Sequence, residues 1–111
     1  MFVFDHVGIT TRLPQPDEKW VEQSRVWVTS PRNHPEHIEF LRYEPGTMVP
    51  QVVRDNPHIA YRVAALELHI EGQEILIPPF VVGDFLRVVF ILKYGVVFEY
   101  MQYLKEGWFG T

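Results

Sequence analysis

Short hydrophobic runs rich in β-branched and aromatic residues recur along the chain, separated by polar and turn-forming stretches. Runs of this kind, bounded by Pro, Gly, Asn or Asp, predict strands. They are expected at Phe2 to Thr10, Arg25 to Thr29, His37 to Glu44, His58 to Val63, Glu74 to Ile77, Leu86 to Leu92 and Val96 to Tyr103. Two short stretches carry helix signals: Asp17 to Gln23, opened by an Asp after Pro16, and Ala64 to Glu71, closed at Gly72. Pro31 to Glu36 reads as a loop, and Glu44 to Pro57 as a proline-bearing linker between two halves. The pattern predicts a chain that is mostly sheet.

The halves resemble one another. The first opens with His6-Val7-Gly8-Ile9 and the second with His58-Ile59-Ala60-Tyr61; they close with Glu39-Phe40-Leu41-Arg42-Tyr43 and Glu99-Tyr100-Met101-Gln102-Tyr103. Two matched patterns in the same order point to an internal duplication. Each half is too small to bury a core alone, so the 111 residues are expected to form a single domain, 1–111, with modules at 1–46 and 57–104.

Composition narrows the function classes. With no cysteine, disulfides and thiolate chemistry are excluded. The net charge is −4, and the ten Lys and Arg residues are scattered, so a nucleic-acid footprint is absent. FLRVVFIL is short for a membrane span and carries Arg87, and MFVFDHVG has no signal-peptide form, which makes a cytoplasmic protein the expectation.

Each half carries one His at the start of its first strand and one Glu in its last strand. Alternation places His6 with Phe4 and Gly8, Glu39 with His37 and Leu41, His58 with Ala60 and Arg62, and Glu99 with Val97 and Met101. A carboxylate on an apolar face is costly to bury without compensation. A divalent cation would supply it, held by His6, Glu39, His58 and Glu99 as a mixed nitrogen and oxygen set. Arg62 or Arg87 could instead pair with Glu99 or Glu39, and His37 could replace Glu39 as a ligand.

The segments DHVGITT, IEFLRYEP, PHIAYRV and VFEYMQ together resemble the vicinal-oxygen-chelate superfamily, which includes glyoxalase I, methylmalonyl-CoA epimerase, extradiol dioxygenases and the bleomycin and fosfomycin resistance proteins. The resemblance implies an α+β fold of two βαβββ modules paired into a cupped, partly open barrel. It implies one divalent metal (nickel, cobalt, manganese, iron or zinc) on His6, Glu39, His58 and Glu99, a set similar to that of the glyoxalase I and epimerase branches. It further implies a lyase, isomerase or epimerase that chelates a small hydroxy-, keto- or thioester substrate and stabilises an enediolate, with Glu39 or Glu99 detaching as general base. A non-catalytic binding cup of the resistance-protein type is the alternative.

The first module is shorter than the second, with 33 positions from residue 6 to 39 against 41 from 58 to 99. Its helix is expected to be reduced and one strand missing or merged. Arg62, Trp27, Phe85 and Arg87 are candidates to line the cup, Arg62 orienting a substrate carboxylate or making a structural salt bridge. Specificity is expected in loops such as Pro31 to Glu36 and Phe80 to Phe85. Trp108 and Phe109 could offer a tail to a partner, and a homodimer would cover exposed sheet edges.

Overall fold

Eight runs of extended chain pair into one mixed sheet over residues 2–106, the residues that a computed structural model of the protein describes. In chain order they are β1 (Phe2–Thr10), β2 (Lys19–Val21), β3 (Val26–Val28), β4 (Ile38–Tyr43), β5 (His58–Val63), β6 (Glu74–Val82), β7 (Leu86–Lys93) and β8 (Val96–Tyr103). Two single α-helical turns accompany them, α1 (Gln51–Arg54) and α2 (Glu67–Ile70), with a 3-10 turn at Pro31–Asn33 before β4. Trp108 and Phe109 lie outside the described residues.

Across the sheet the order is β2-β3-β4-β1-β5-β8-β7-β6. β1 and β5 run antiparallel at the centre, and each is flanked by the last strand of its own half, β4 or β8, in parallel. The remaining neighbours are antiparallel. Each half is therefore one strand followed by a three-strand meander that returns beside it. The sheet curls until Val26 and Val28 at one end and Phe80 and Val82 at the other line a common cavity. At the seam the Gln23 side-chain amide donates to the Val81 carbonyl at 3.0 Å. The expected α+β architecture, a cupped and partly open barrel, is present.

Both faces of β7 are covered, which explains its unbroken apolar run. Leu86, Val88 and Phe90 join Ala60, Val97 and Met101 on the inner face, where Val49 and Val53 from the connecting segment also pack. Val89 and Ile91 face outward with Val63, Leu66 and Tyr100, against which Ile70 of α2 packs. Each fully buried aliphatic side chain contributes about 1.5–3 kcal/mol.

Several sequence expectations are corrected. Asp17 to Gln23 is not a helix: Asp17 takes a left-handed φ of 61°, and Trp20 and Val21 pair with Trp27 and Val26 as a hairpin. The Asp-cap signal loses to two strand formers with a cross-strand partner each. No strand of the first half is missing; β2 and β3 are only three residues each. Ala64 to Glu71 shrinks to the turn Glu67–Ile70.

β6 runs past Ile77 through Pro78 and Pro79 to Val82. It is an edge strand, where missing amide donors are tolerated, and its register with β7 shifts twice around the prolines. The linker is not wholly irregular, since α1 lies within it and buries Val53. Arg25 and His37, expected as strand starts, both adopt positive φ and belong to turns.

Candidate metal centre

The repeated His and Glu positions meet because of strand register. Across β1 and β5, His6 faces Ala60 and Gly8 faces His58. Along the parallel pairs, Gly8 is beside Glu39 and Ala60 beside Glu99. The four residues thus occupy one face of the four central strands, related by a local two-fold pseudo-symmetry. The small residue of each H-[VI]-[GA] pattern is explained by the same register: it stands opposite the imidazole of the other half. A Cβ at Gly8 would overlap Cε1 and Nε2 of His58.

All four side chains are buried, His6 at 0%, His58 at 1%, and Glu39 and Glu99 at 6% exposure. One ligand atom from each lies within 4.8 Å of all the others. His6 Nε2 is 3.3 Å from Glu39 Oε1 and 3.4 Å from Glu99 Oε1; His58 Nε2 is 3.2 Å from Glu99 Oε1 and 3.7 Å from Glu39 Oε1. Donors about 2.1 Å from a shared ion stand roughly 3.0–3.4 Å apart, close to these His–Glu spacings. His58 Nε2 is also a buried nitrogen with no hydrogen-bond partner of acceptable geometry. The cluster could hold a divalent metal ion.

The electrostatics carry the same demand. Burial lowers the His6 imidazole, but the facing Glu39 carboxylate and the contacts with Asp5 and Glu99 outweigh it and raise the ring well above 6.5. Burial raises the Glu99 carboxyl, yet His58 and His6 hold it well below the usual carboxylate range. Two carboxylates in an apolar cup need positive charge, and protons on the imidazoles or a divalent cation between them are the two ways to supply it.

Asp5 is a participant that the alternation pattern hides. A β-bulge between Phe4 and His6 shifts the register against β5, so Phe4 faces Tyr61 while His6 faces Ala60. Phe4 therefore lies on the outer face, half exposed, and does not share the face of His6 as alternation predicted. The bulge brings the Asp5 carboxylate 2.7 Å from His6 Nδ1, and the Tyr103 hydroxyl donates to its other oxygen at 3.2 Å. A carboxylate on the far ring nitrogen of a histidine fixes its tautomer and aims the other nitrogen. In sequence the only trace is the Asp-His pair, which alternation assigns to opposite faces.

The cavity opens from Glu39 and Glu99 and is walled chiefly by Val21, Val26, Val28, Leu41, Phe80 and Phe90, with Tyr43 and Ser24 as neutral polar groups. Burial and the two nearby carboxylates raise the Tyr43 hydroxyl above its ordinary value, which keeps it a neutral donor.

Arg62, Trp27, Phe85 and Arg87 do not line this cavity. Arg62 pairs with Glu106 at 2.6 Å and lies over the Tyr103 ring. Trp27 alternates with the inward Val26 and Val28, so it faces outward, beside Trp20 and under Arg42. Phe85 is buried in the apolar cluster next to Tyr103. Arg87 alternates with inward Leu86 and Val88 and pairs with Glu67 of α2 at 2.6 Å. His37 is exposed, turned away by its positive φ. Alternation places Leu41 on the face of Glu39, while Tyr43 and the β3 valines were missed, although the same alternation carried one step further reaches Tyr43.

No protein-family model matches the chain, and no curated protein matches it. Among solved structures it is similar to a hypothetical protein from Bacillus halodurans C-125, with 14% identity, a TM-score of 0.67, and coverage of 96% of this chain and 98% of that one. It is also similar to a triple mutant of 4-hydroxymandelate synthase from Streptomyces coelicolor, with 16% identity and a TM-score of 0.55. That match covers 98% of this chain and 50% of the synthase, so the chain spans half of that protein's length. No helix among the described residues is long and apolar enough to cross a membrane. These likenesses show a shared fold, which is glyoxalase-like.

Proposed function

We propose that the chain is a metal-dependent enzyme of the vicinal-oxygen-chelate type, a lyase, isomerase or epimerase acting on a small molecule with two neighbouring oxygens. One observation carries this reading: two imidazoles and two carboxylates, all buried, converge within 4.8 Å, and the two carboxylates reach into an apolar cavity. Bound there, a divalent ion would polarise the two oxygens as a Lewis acid. His6 and His58 would hold it through Nε2, and Glu39 and Glu99 through one carboxylate oxygen each.

The residues of the chain divide the remaining work. Asp5 keeps the Nδ1 proton of His6 engaged, so that Nε2 presents its lone pair to the centre. Glu39 and Glu99 both reach the cavity, and whichever turns toward the substrate carbon takes its proton. The transfer moves a proton from carbon to carboxylate and leaves the total charge of the site unchanged. Val26, Val28, Leu41 and Phe90 keep bulk water away from the developing oxyanion. Nickel, cobalt, manganese, iron and zinc all suit a mixed imidazole and carboxylate set.

Elemental analysis of protein purified without chelators, beside a His58→Ala variant, tests the metal. About one divalent ion per chain, lost in the variant, is the expected outcome. No metal even after reconstitution overturns the reading. A metal-loaded sample that exchanges no carbon-bound hydrogen with any member of a hydroxyketone and ketoacid panel would reduce the protein to a binding cup.

A further inference from the structure

The geometry points to the chemical class that this site accepts: a neutral small molecule with an apolar body and two adjacent oxygens, rather than a carboxylate or a phosphate. The two oxygens rest on the metal-centre reading above; the neutrality rests on the cavity itself.

Apart from Glu39 and Glu99, the described residues that line the cavity carry no charge. Its approach, formed by Gln23, Ser24, Met48, Val49, Ile77 and Phe80, is uncharged as well. Met1 and residues 107–111 contain no Lys, Arg or His. Two carboxylates and one divalent ion sum to zero, so a metal-loaded cup is already balanced. An anionic ligand would bring net negative charge into an apolar enclosure without a cation to meet it. The arginines that could have met it are committed elsewhere: Arg62 to Glu106, and Arg87 to Glu67. Arg54 donates to the Val49 carbonyl and lines a different, polar pocket with Thr10, Thr11, Arg12 and Asp55, which shares Tyr43 with the cavity. Tyr43 and Ser24 remain to orient the ligand, and both are neutral hydroxyl groups suited to a carbonyl or hydroxyl partner.

The test is calorimetric titration of the whole zinc-loaded chain with hydroxyacetone and with lactate, which share adjacent oxygens and a methyl body suited to a cavity of about 50 Å³ but differ in charge. The neutral ketone should bind at least about tenfold more tightly, the penalty of an unpaired buried charge. Val28→Phe should abolish that binding by filling the cavity. Phe80→Lys, at the partly exposed approach, should move the preference toward lactate. Equal or tighter lactate binding by the unmodified chain overturns the inference, and loss of that advantage in Arg54→Leu would place the anion in the polar pocket instead. Metal content measured on the same samples separates the two readings. A chain without metal that still takes the ketone in a Val28→Phe-sensitive way overturns the metal centre and upholds the neutral cavity. A metal-loaded chain that takes neither ligand overturns the neutral cavity alone.

Discussion

At position 8 the lack of a side chain admits the His58 ring, because the two residues face each other across β1 and β5. Gly8→Ala should therefore push that imidazole out of the cluster. Overpacking of this kind costs about 1–3 kcal/mol, read by urea unfolding, with a clear fall in metal affinity in chelator competition. Unchanged affinity would show that His58 is not a ligand. Asp5 acts differently, since it meets the His6 ring at its far nitrogen and binds Tyr103 with its other oxygen. Asp5→Ala should leave the stoichiometry at one ion and weaken the affinity about 10–100-fold. The four cluster residues were legible because duplication repeats them. Asp5 was not, because a bulge breaks the two-residue period on which the face assignment depends. Trp27 and Arg87 stand between inward-facing neighbours, Val26 and Val28 or Leu86 and Val88, and the strand period that turns those inward turns Trp27 and Arg87 out of the cup.

Among the elements, the short first half replaces a covering helix with polar and aromatic contacts. Glu18, just before β2, accepts two hydrogen bonds from Arg42 of β4 at 2.9 and 2.7 Å, and Arg42 lies over Trp27. The Arg42 hydrogen bonds hold the Glu18 carboxyl below its ordinary 4.5, against a smaller opposing effect of burial. A carboxyl depressed in the folded state adds stability above its unfolded value and loses it as pH falls through the folded one. Glu18→Gln should therefore flatten the fall of Tm below about pH 4.5, and an identical acid limb in both proteins would discount the pair. The second half is covered by α2 instead, and Leu66 beneath it is fully buried. Leu66→Ala should cost about 2–5 kcal/mol in chemical unfolding. Strand positions were read well where β-branched and aromatic residues form an uninterrupted stretch between clear breakers, as in β1, β5 and β8. β2 was lost because three residues hold too short a period to outweigh a helix cap, and the end of β6 because proline in a strand is tolerated only at an edge, a fact of sheet order rather than of local sequence.

The whole molecule is held at its centre by strands and at its seam by side chains. Four central strands supply one residue of the cluster each, so an ion there would tie together β4, β1, β5 and β8. A ligand at a hundred times its Kd adds about 2.7 kcal/mol, which corresponds to roughly 10 °C in Tm for a chain of this size. Chelator treatment should lower the melting point by about that amount in the unmodified chain and not in His58→Ala. The repeat made this arrangement visible in the sequence as a whole, whereas the closing contact between Gln23 and Val81 could not be read, since neither residue belongs to the repeated pattern.

The register at the centre also constrains how the two copies can drift apart. Residue 8 sets the room for the ring at 58, and residue 60 sets the room for the ring at 6. A larger side chain acquired in one half damages a histidine encoded in the other, so neither copy is a spare. The outer faces, turns and helical segments carry no such constraint, and there the halves differ: only the second has an α-helical turn between its first two strands. The central pair of strands tolerates change only when both of its members change together.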